Sequence, residues 1–308
     1  MSAPPRASSG ESPVNLDELT KIELLILKRM REFTMGEHRS TFNGTGFDFV
    51  GIREWLPGDR TSAIDWPQST LTNFSPLMVR DFEQPSTATV VALADTSLST
   101  RCGMDGVSIE AAIARAVGTI GMSAVFFQDT FGLITFDAGF ANLDAVRPRI
   151  GKGHVVHCLE AYQRGEGDQA IRSGGDLSMR IAGFLRRPSL VPVISDFLFD
   201  DTAQVVNELA MLNGTHDVFL VLIDSAFAFD LPPLGAGWVE AFDVETGRSR
   251  VMSRRSMQTM ADRMRGWQDE VRRLAHDAGL DVVRVSTDDQ QTAVALTEFI
   301  AERRLRKR

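Results

Sequence analysis

The residues that could do chemistry stand directly after an apolar run. Residues 90–94 are apolar, and Asp95, Ser97 and Ser99 then follow at every second position. In an extended loop this spacing points the three side chains to the same side. A carboxylate with two hydroxyls offers the hard oxygen ligands that Mg²⁺ binds while it keeps several of its waters. The pattern therefore predicts a site for Mg²⁺ or another divalent cation in this loop.

A second carboxylate follows another apolar run. Residues 191–194 lead directly into Ser195 and Asp196. Ligands of open α/β sheets usually bind at the carboxyl ends of the strands. If the two strands lie close together, Asp95 and Asp196 occupy one edge of the sheet and can share a cation.

A glycine turn between these two segments could supply a third ligand. It spans residues 172–176 and opens a predicted helix, and either Ser173 or Asp176 could donate an oxygen. The candidate metal ligands are therefore Asp95, Ser97, Ser99, Asp196 and Asp176.

The same residue types also have a purely structural interpretation, because Asp and Ser often cap the amino ends of helices. Asp95 or a serine beside it would then cap the helix predicted near Ser108. Asp196 would cap the helix near Ala203, and Asp176 would cap its own helix. The sequence leaves both interpretations open, although the position of Asp95 after a buried strand favours a metal site.

The elements that would position these residues alternate between strand and helix. Short continuous apolar runs predict strands buried on both faces, and apolar residues at three- and four-residue spacing predict helices. Such alternation is typical of an α/β fold with a mostly parallel sheet that has helices on both faces. The predicted strands are residues 90–94, 130–136, 189–194, 217–223 and 281–286, with 141–147 as a hairpin partner and 238–242 in an excursion; the predicted helices are residues 108–126, 154–162, 177–185, 203–212, 257–278 and 291–303.

The segment before this fold has a different character. Residues 1–14 are rich in Ser, Pro and Gly, which predicts a disordered tail. Residues 15–35 predict a helix that buries one face, and residues 36–84 predict a small antiparallel β element with glycine turns. The α/β domain spans residues 85–303, and residues 304–308 form a basic tail.

Composition argues against several classes of protein. The chain has 308 residues and a net charge of −8, with 43% hydrophobic and 24% charged residues, which is ordinary for a globular protein. The negative net charge argues against a protein whose whole surface binds nucleic acid. The two cysteines form neither a zinc-binding motif nor a set of disulfides. No apolar run approaches the length of a membrane span, and the first residues lack the order of a signal peptide. We expect a cytoplasmic protein with no nucleic-acid partner and no membrane span.

The chain resembles a known family in motifs that extend from about residue 16 to about residue 303. The pairing of the Asp-x-Ser-x-Ser loop with Asp196 is similar to the metal-ion-dependent adhesion site of von Willebrand factor A domains. The block before this loop, together with the strand end at Asp196, resembles the bacterial family called domain of unknown function 58. The motifs are Gly36-Glu-His38-Arg39-Ser40, Gly44-x-Gly46-x-Asp-Phe49, Arg53-Glu-Trp55-x-Pro-Gly58-Asp59, Ile64-Asp65-Trp66 and Ile194-Ser-Asp-Phe197.

The resemblance implies a von Willebrand A-like domain, which is a Rossmann-like fold, with a small β element before it. Family members are commonly encoded beside AAA+ ATPases of the MoxR type and are thought to assemble, activate or insert metal into other proteins. By the adhesion-site pattern the ligands are Asp95, Ser97, Ser99 and Asp196, some of them through water. The threonine expected in the middle loop is missing, because Asp176 follows the two glycines there.

These features favour a non-enzymatic binding protein over two alternatives. In the favoured interpretation, an acidic side chain of a partner completes the coordination of the cation, and the partner is a MoxR-type AAA+ ATPase or a client protein. The first alternative is a Mg²⁺-dependent phosphohydrolase with Asp95 as nucleophile, although Ser97 stands where such enzymes usually have a second acid. The second is a metal-free scaffold in which Asp95 and Asp196 only cap helices. The sequence contains neither a phosphate-binding loop nor a nucleophile elbow.

Overall fold

The computed structural model describes residues 19–27, 48–57, 61, 64–83, 87–104, 107–137, 140–171, 174–226, 238–243, 248–286 and 289–306. The chain divides into two compact units: residues 30–87 form the smaller unit, and residues 1–29 with residues 88–308 form the larger one. The predicted disordered tail at residues 1–14 lies outside the described residues, as do the motifs at residues 36–46.

Helices and strands alternate through the larger unit, as the sequence pattern predicts. The described helices are α1 (residues 19–27), α2 (Trp66–Leu71), α3 (Ile109–Phe126), α4 (Lys152–Arg164), α5 (Leu177–Phe184), α6 (Thr202–Asn213), α7 (Arg254–Asp277) and α8 (Asp289–Arg306). The described strands are β1 (Asp48–Glu54), β2 (Met78–Glu83), β3 (Thr89–Asp95), β4 (Gly103–Met104), β5 (Val107–Ser108), β6 (Thr130–Phe136), β7 (Leu143–Arg149), β8 (Gln169–Ala170), β9 (Leu190–Ser195), β10 (Asp217–Ile223), β11 (Trp238–Asp243), β12 (Arg248–Ser253) and β13 (Asp281–Val285). A short 3₁₀ helix, Leu98–Arg101, follows β3.

Seven strands of the larger unit form one sheet in the order β13-β10-β9-β3-β6-β7-β8. The pairs from β13 to β6 are parallel, and β7 and β8 add antiparallel pairs at one edge. This arrangement confirms the predicted α/β fold with a mostly parallel sheet. Strands β6, β7 and β8 are added in turn on one side of β3, and β9 lies on the other side of β3. The strand order therefore reverses between β3 and β9, which is where open sheets bind ligands.

The central strands are apolar because both of their faces are buried. The side chains of residues 90–95 in β3 are at most 4% exposed, and β9 and β10 are buried in the same way. Helix α3 packs closely on this sheet and on α4. A glycine permits the close approach, because a Cβ at Gly121 would lie 2.7 Å from Cγ1 of Val155 and 3.0 Å from the ring of Phe131.

Helix α3 has the length and apolar composition of a membrane span, with a mean hydropathy of 1.4, which the sequence pattern did not predict. However, 78% of the 18-residue window is buried inside the protein. A helix that is apolar almost all round is also typical of the core of a large domain, where no face of the helix meets water. The packing of α3 against the sheet and its neighbouring helices therefore accounts for its composition.

The smaller unit contains the predicted antiparallel β element. Strands β1 and β2 pair antiparallel, and Ile64 forms a bridge to Val79 of β2. Helix α2, which lies between the strands, was not predicted. It begins after Asp65, whose carboxylate accepts from the amide of Gln68 at 3.2 Å. Pro67 lies in its first turn, where backbone N–H groups have no partner within the helix, so the missing N–H of proline costs no hydrogen bond. A helix of fewer than two turns is too short to show a periodic pattern.

Most predicted boundaries agree with the structure to within three residues. Strand β12 was not predicted, because its sequence is rich in arginine and serine, and it pairs with β11 outside the main sheet. Helix α8 continues to Arg306, beyond its predicted end at Arg303, so the first residues of the predicted basic tail extend this helix.

Candidate functional site

Two neighbouring strands bring the predicted ligands to one place. Strands β3 and β9 are parallel and adjacent, with Ala94 opposite Ile194. This register sets Asp95 beside Ser195 at the carboxyl edge of the sheet and places Asp196 one residue further on. Both carboxylates therefore lie at one edge, at the point where the strand order reverses.

Donors from both strand ends hold the carboxylate of Asp95. Its Oδ1 accepts from the amide of Ser97 at 2.7 Å, and its Oδ2 accepts from the hydroxyl of Ser195 at 2.5 Å. The oxygen of Ser195 in turn accepts from the amide of Phe197 at 2.8 Å. The backbone carbonyl of Asp95 accepts from the phenol of Tyr162 at 2.9 Å. Because Asp95 is fully buried, these donors fix a single orientation of its carboxylate.

A chain of polar contacts leads from Ser97 to Asp196. The hydroxyl oxygens of Ser97 and Ser99 are 3.0 Å apart, and the hydroxyl of Ser99 donates to Oδ1 of Asp196 at 3.5 Å. That oxygen also accepts from the amide of Leu198 at 3.2 Å. The other oxygen, Oδ2, is buried and has no hydrogen-bond partner. The four predicted ligands from the two strand ends thus converge, with one acceptor atom unused.

Buried aromatic side chains adjoin the site. Phe197 and Phe199 are one and three residues after Asp196 in the chain, and Phe199 also contacts Phe136 at the end of β6, with ring centroids 6.1 Å apart. The backbone of Phe197 has a φ of +57°, a region that phenylalanine rarely occupies. Its carbonyl accepts from the indole of Trp267 in α7 at 2.9 Å. Packing and this hydrogen bond therefore hold the loop after β9 in an uncommon conformation.

Burial dominates the electrostatics of the two carboxyls. Burial, followed by the nearby charge of Asp95, raises the pKa of Asp196 from its ordinary 3.8 to about 7. Burial also raises the pKa of Asp95, against the opposing effect of hydrogen bonds from Ser195 and Ser97. Among the described residues, no lysine, arginine or histidine forms an ion pair with either carboxyl. Two buried like charges without a counter-ion favour the uptake of a proton or of a cation.

A divalent cation fits this set of donors. Carboxylate and hydroxyl oxygens are the hard ligands that Mg²⁺ prefers, and Oδ2 of Asp196 is an acceptor that nothing else uses. In the part of the chain that the structure describes, no group of three or more His, Cys, Asp or Glu could hold a metal ion. A cation at this site would therefore complete its octahedral coordination with water or with a ligand from another molecule.

The fifth predicted ligand, Asp176, does not take part in these hydrogen bonds. It is the exposed N-cap residue of α5, and its side chain makes no capping bond to that helix. The first amide of α5, at Leu177, instead donates to the carboxylate of Glu208 at 2.6 Å. Ser173, the other candidate from this turn, lies outside the described residues. The structure thus leaves Asp176 at the surface and joins the other four ligands by hydrogen bonds around Asp95 and Asp196.

The helix-capping interpretation does not describe Asp95 or Asp196. Helix α3 is capped by Ser108, whose hydroxyl accepts from the amide of Ala111 at 3.1 Å. The N-cap residue of α6 is Asp201. Both buried carboxylates instead accept from amides two residues ahead in their own loops.

Two side chains that support the site were missed by sequence reasoning. The pattern marks Ser195 only as the neighbour of Asp196, although its hydroxyl donates to Asp95. Tyr162 is the one tyrosine in the chain and falls within a predicted helix, where nothing nearby in the sequence indicates a polar role. Only a general rule could have indicated its role: the hydroxyl of a buried tyrosine usually forms a hydrogen bond.

The parallel sheet, its reversal point and the two acid-ended strands define the larger unit as an open α/β domain with a candidate ligand site at its carboxyl edge. The chain belongs to the family described as protein of unknown function DUF58, whose family model matches residues 51–273. This match confirms the family that the motifs resemble, and it includes both buried carboxylates. No curated protein matches the sequence.

Proposed function

We propose that this protein is a non-enzymatic binding factor that takes up a divalent cation, with Mg²⁺ as the preferred ion, and uses it to hold an acidic side chain of a partner. The proposed ligands are Asp95, Ser97, Ser99 and Asp196, some of them through water. The observation that carries this proposal is the Oδ2 atom of Asp196, a buried acceptor without a donor beside a second buried carboxyl. Leaving such an atom unpaired costs about 1–3 kcal/mol or more, and a cation would remove that cost.

A partner would reach the cation from the side of the serine loop. Asp95 and Asp196 are fully buried, whereas Ser99 is partly exposed and Leu98 is 44% exposed. An incoming Asp or Glu could replace a water on the cation there, and an apolar neighbour of that residue could cover Leu98. The strength of the contact would then depend on the metal.

As the partner we propose a MoxR-type AAA+ ATPase or a client protein, so that the chain acts in a chaperone-like way in assembly, activation or metallation. The support is the resemblance of the site to the von Willebrand A adhesion site and of the motifs to the family named above. Asp176 is the departure from that pattern, since it stands where a threonine is expected. If its exposed carboxylate lies near the cation, its negative charge would weaken the attraction for a partner's carboxylate.

The two alternatives receive less support from the geometry. A phosphohydrolase would need Asp95 as a free nucleophile, but both of its carboxylate oxygens accept hydrogen bonds, and Ser97 supplies no acid beside it. A metal-free scaffold would leave Oδ2 of Asp196 buried and unpaired, with no capping role to explain it.

A pull-down of partner proteins in Mg²⁺ and in EDTA tests the proposal. We expect wild type to retain its partners in Mg²⁺ and to lose them in EDTA. Asp95→Asn keeps the shape of the side chain but removes its charge, and Asp95→Ala removes the ligand altogether, so both should retain little in either buffer. The matched control is Asp200→Asn, which removes an exposed carboxylate from the loop after β9 and should behave like wild type. Equal recovery by every variant in both buffers would mean that the acidic loops are only structural.

A further inference from the structure

A groove runs along one side of the main sheet, from the amino ends of β3, β6 and β9 to strand β8, where Ala170 lies opposite Asp144 near the carboxyl edge. It has a volume of about 940 Å³, and its lining includes Thr89, Thr130 and Ser189, which lie at or just before the first residues of β3, β6 and β9. Because β3 is extended and rises about 3.3 Å per residue, the end of the groove at Thr89 is about 20 Å from Asp95.

The groove is basic. Arg147, Arg180, Arg186 and Arg187 line it, and its described lining contains no acidic residue. Arg186 and Arg187 are exposed, and neither forms an ion pair with any described residue. Like charges gathered at one place repel one another, so this cluster favours the binding of an anionic group.

Two of the arginines are positioned by neutral acceptors. Arg180 donates to the carbonyls of Phe140 at 2.5 Å and Ala141 at 3.1 Å, and Nε of Arg147 donates to the side-chain oxygen of Gln169 at 3.1 Å. Neutral acceptors orient a guanidinium group without cancelling its charge. The groove therefore presents ordered cations, and arginine binds carboxylates through paired hydrogen bonds.

The rest of the groove combines apolar side chains with an open strand edge. Met179 is 62% exposed, and Phe184 and Ile171 also line the groove. Among the described residues, β8 is the last strand of the sheet, and the amide of Ile171 bonds back toward β7, to the carbonyl of Leu143. Because neighbouring residues of a strand point their amides to opposite sides, Ala170 directs its amide and carbonyl toward the free edge. An extended chain could pair with them there.

We propose that this groove binds an extended acidic segment of a partner protein. Carboxylates of the segment would contact Arg147, Arg186 and Arg187, and apolar residues between them would contact Met179 and Phe184. This mixed lining favours a peptide over a nucleic acid, whose regular phosphates would meet apolar side chains and the net charge of −8. The proposal does not depend on the cation site, because Arg186 and Arg187 lie before the amino end of β9 and Asp196 lies beyond its carboxyl end.

Fluorescence anisotropy of the full chain with a short labelled peptide that alternates Glu and Val tests this proposal. We expect saturable binding that weakens as salt is added, and no binding of the same peptide with Gln in place of Glu. Arg186→Glu combined with Arg187→Glu should weaken binding by about tenfold or more, because it reverses charges that contact the peptide. The matched control reverses Arg255 and Arg263, two exposed arginines of α7, and should change the affinity by about twofold or less.

Three results would overturn the proposal. The first is equal binding of the Glu and Gln peptides, and the second is equal weakening by the two double variants, which would reflect overall charge instead of the groove. The third is tighter binding of a labelled single-stranded oligonucleotide than of the Glu peptide. Met179→Asp is a second variant that leaves the arginines in place, and it should weaken binding of the Glu peptide through repulsion and the loss of an apolar contact.

Discussion

The Oδ2 atom of Asp196 is buried without a donor and lies close to a second buried carboxyl. A proton would reduce the repulsion between the two carboxylates by neutralising one of them, and a divalent cation would reduce it by neutralising both. The two solutions exclude each other, because a carboxyl must lose its proton to become a metal ligand. At the scale of single residues, a proton and a cation therefore compete for the same place.

Replacing Asp196 by Asn removes one of the two buried charges and keeps the shape of the side chain. In EDTA at pH 8, we expect Asp196→Asn to increase the free energy of unfolding by about 1–3 kcal/mol, because an uncompensated buried charge is removed. Mg²⁺ should no longer stabilise this variant. Denaturant unfolding in EDTA and in MgCl₂ measures both effects, with Asp200→Asn as the control that should match wild type. A variant that is destabilised in EDTA and still responds to Mg²⁺ would contradict the assignment.

The raised pKa of Asp196 predicts opposite effects of pH with and without metal. The folded-state pKa is about 7 against an ordinary value of 3.8, so the native protein binds this proton more tightly than the unfolded chain does. In EDTA, the resulting stability is fully present below pH 3.8 and is lost as pH rises through about 7. Stabilisation by Mg²⁺ should grow over the same interval, because the ion needs the ionised carboxyl.

Thermal unfolding at pH 6 and pH 8, each with EDTA and with MgCl₂, measures this competition. The increase in Tm caused by Mg²⁺ should be larger at pH 8 than at pH 6. An increase of equal size at both values would show that the ion does not displace a proton from Asp196.

At the scale of elements, the site depends on α4 as well as on the two strands. The phenol of Tyr162 in α4 donates to the carbonyl of Asp95, in the interior of the protein. Tyr162→Phe leaves that carbonyl without this donor, so we expect it to lower the free energy of unfolding by about 1–3 kcal/mol and to weaken metal binding. Chemical denaturation and metal titration provide the two readouts.

The control for Tyr162 is Thr259→Ala, which removes an exposed hydroxyl-to-carbonyl bond within α7 and should cost about 0.5 kcal/mol or less. If Tyr162→Phe loses stability while its metal affinity stays at the wild-type value, Tyr162 supports the fold without positioning Asp95.

The packing of α3 on α4 and β6 gives a second prediction at this scale. A Cβ at Gly121 would stand 2.7 Å from Cγ1 of Val155, so Gly121→Ala should lower the free energy of unfolding by about 1–3 kcal/mol. Gly153 in α4 has no atom within 4 Å of its would-be Cβ, so Gly153→Ala should stabilise the protein by about 0.5–1 kcal/mol. Equal effects of the two substitutions in denaturant unfolding would contradict the close packing.

The elements that the sequence revealed best are those whose pattern comes from burial. Strands β3, β6 and β10 are apolar because both faces are covered, and their predicted bounds match the structure to within one residue. Helix α2 and strand β12 were missed because neither is buried in this way along its length. Their positions follow from a cap at Asp65 and from pairing with β11, which depend on contacts more than on periodicity.

The candidate site could be predicted only in part. The sequence places Asp95 and Asp196 at strand ends, but the order of strands in the sheet is what makes β3 and β9 neighbours. Ser195 and Tyr162 act through contacts between residues distant in the chain, so local spacing carries no sign of them. Asp176 is the opposite case, because the sequence suggests it as a ligand. In the structure its side chain is exposed and takes no part in the hydrogen bonds around Asp95 and Asp196.

At the scale of the molecule, the larger unit combines a site of two buried carboxyls with a groove that arginines line. The buried carboxyls lie at the carboxyl edge of the sheet, and the arginine-lined groove extends from the amino ends of β3, β6 and β9 along β7 and β8. Both surfaces suit acidic partners, one through a cation and the other through guanidinium groups. Since Arg186 and Arg187 are about 20 Å from the buried carboxyls, EDTA should abolish binding that depends on the cation and leave binding of the Glu peptide unchanged.

Isothermal titration of the metal-free protein with MgCl₂ at pH 8 tests the central claim most directly. Wild type and Asp200→Asn should each bind one cation per chain, and Asp95→Ala and Asp196→Asn should bind none. MnCl₂ in place of MgCl₂ should give the same pattern, because both ions take oxygen ligands. If wild type binds no cation, or if Asp95→Ala and Asp196→Asn bind as wild type does, then Asp95 and Asp196 do not form a metal site.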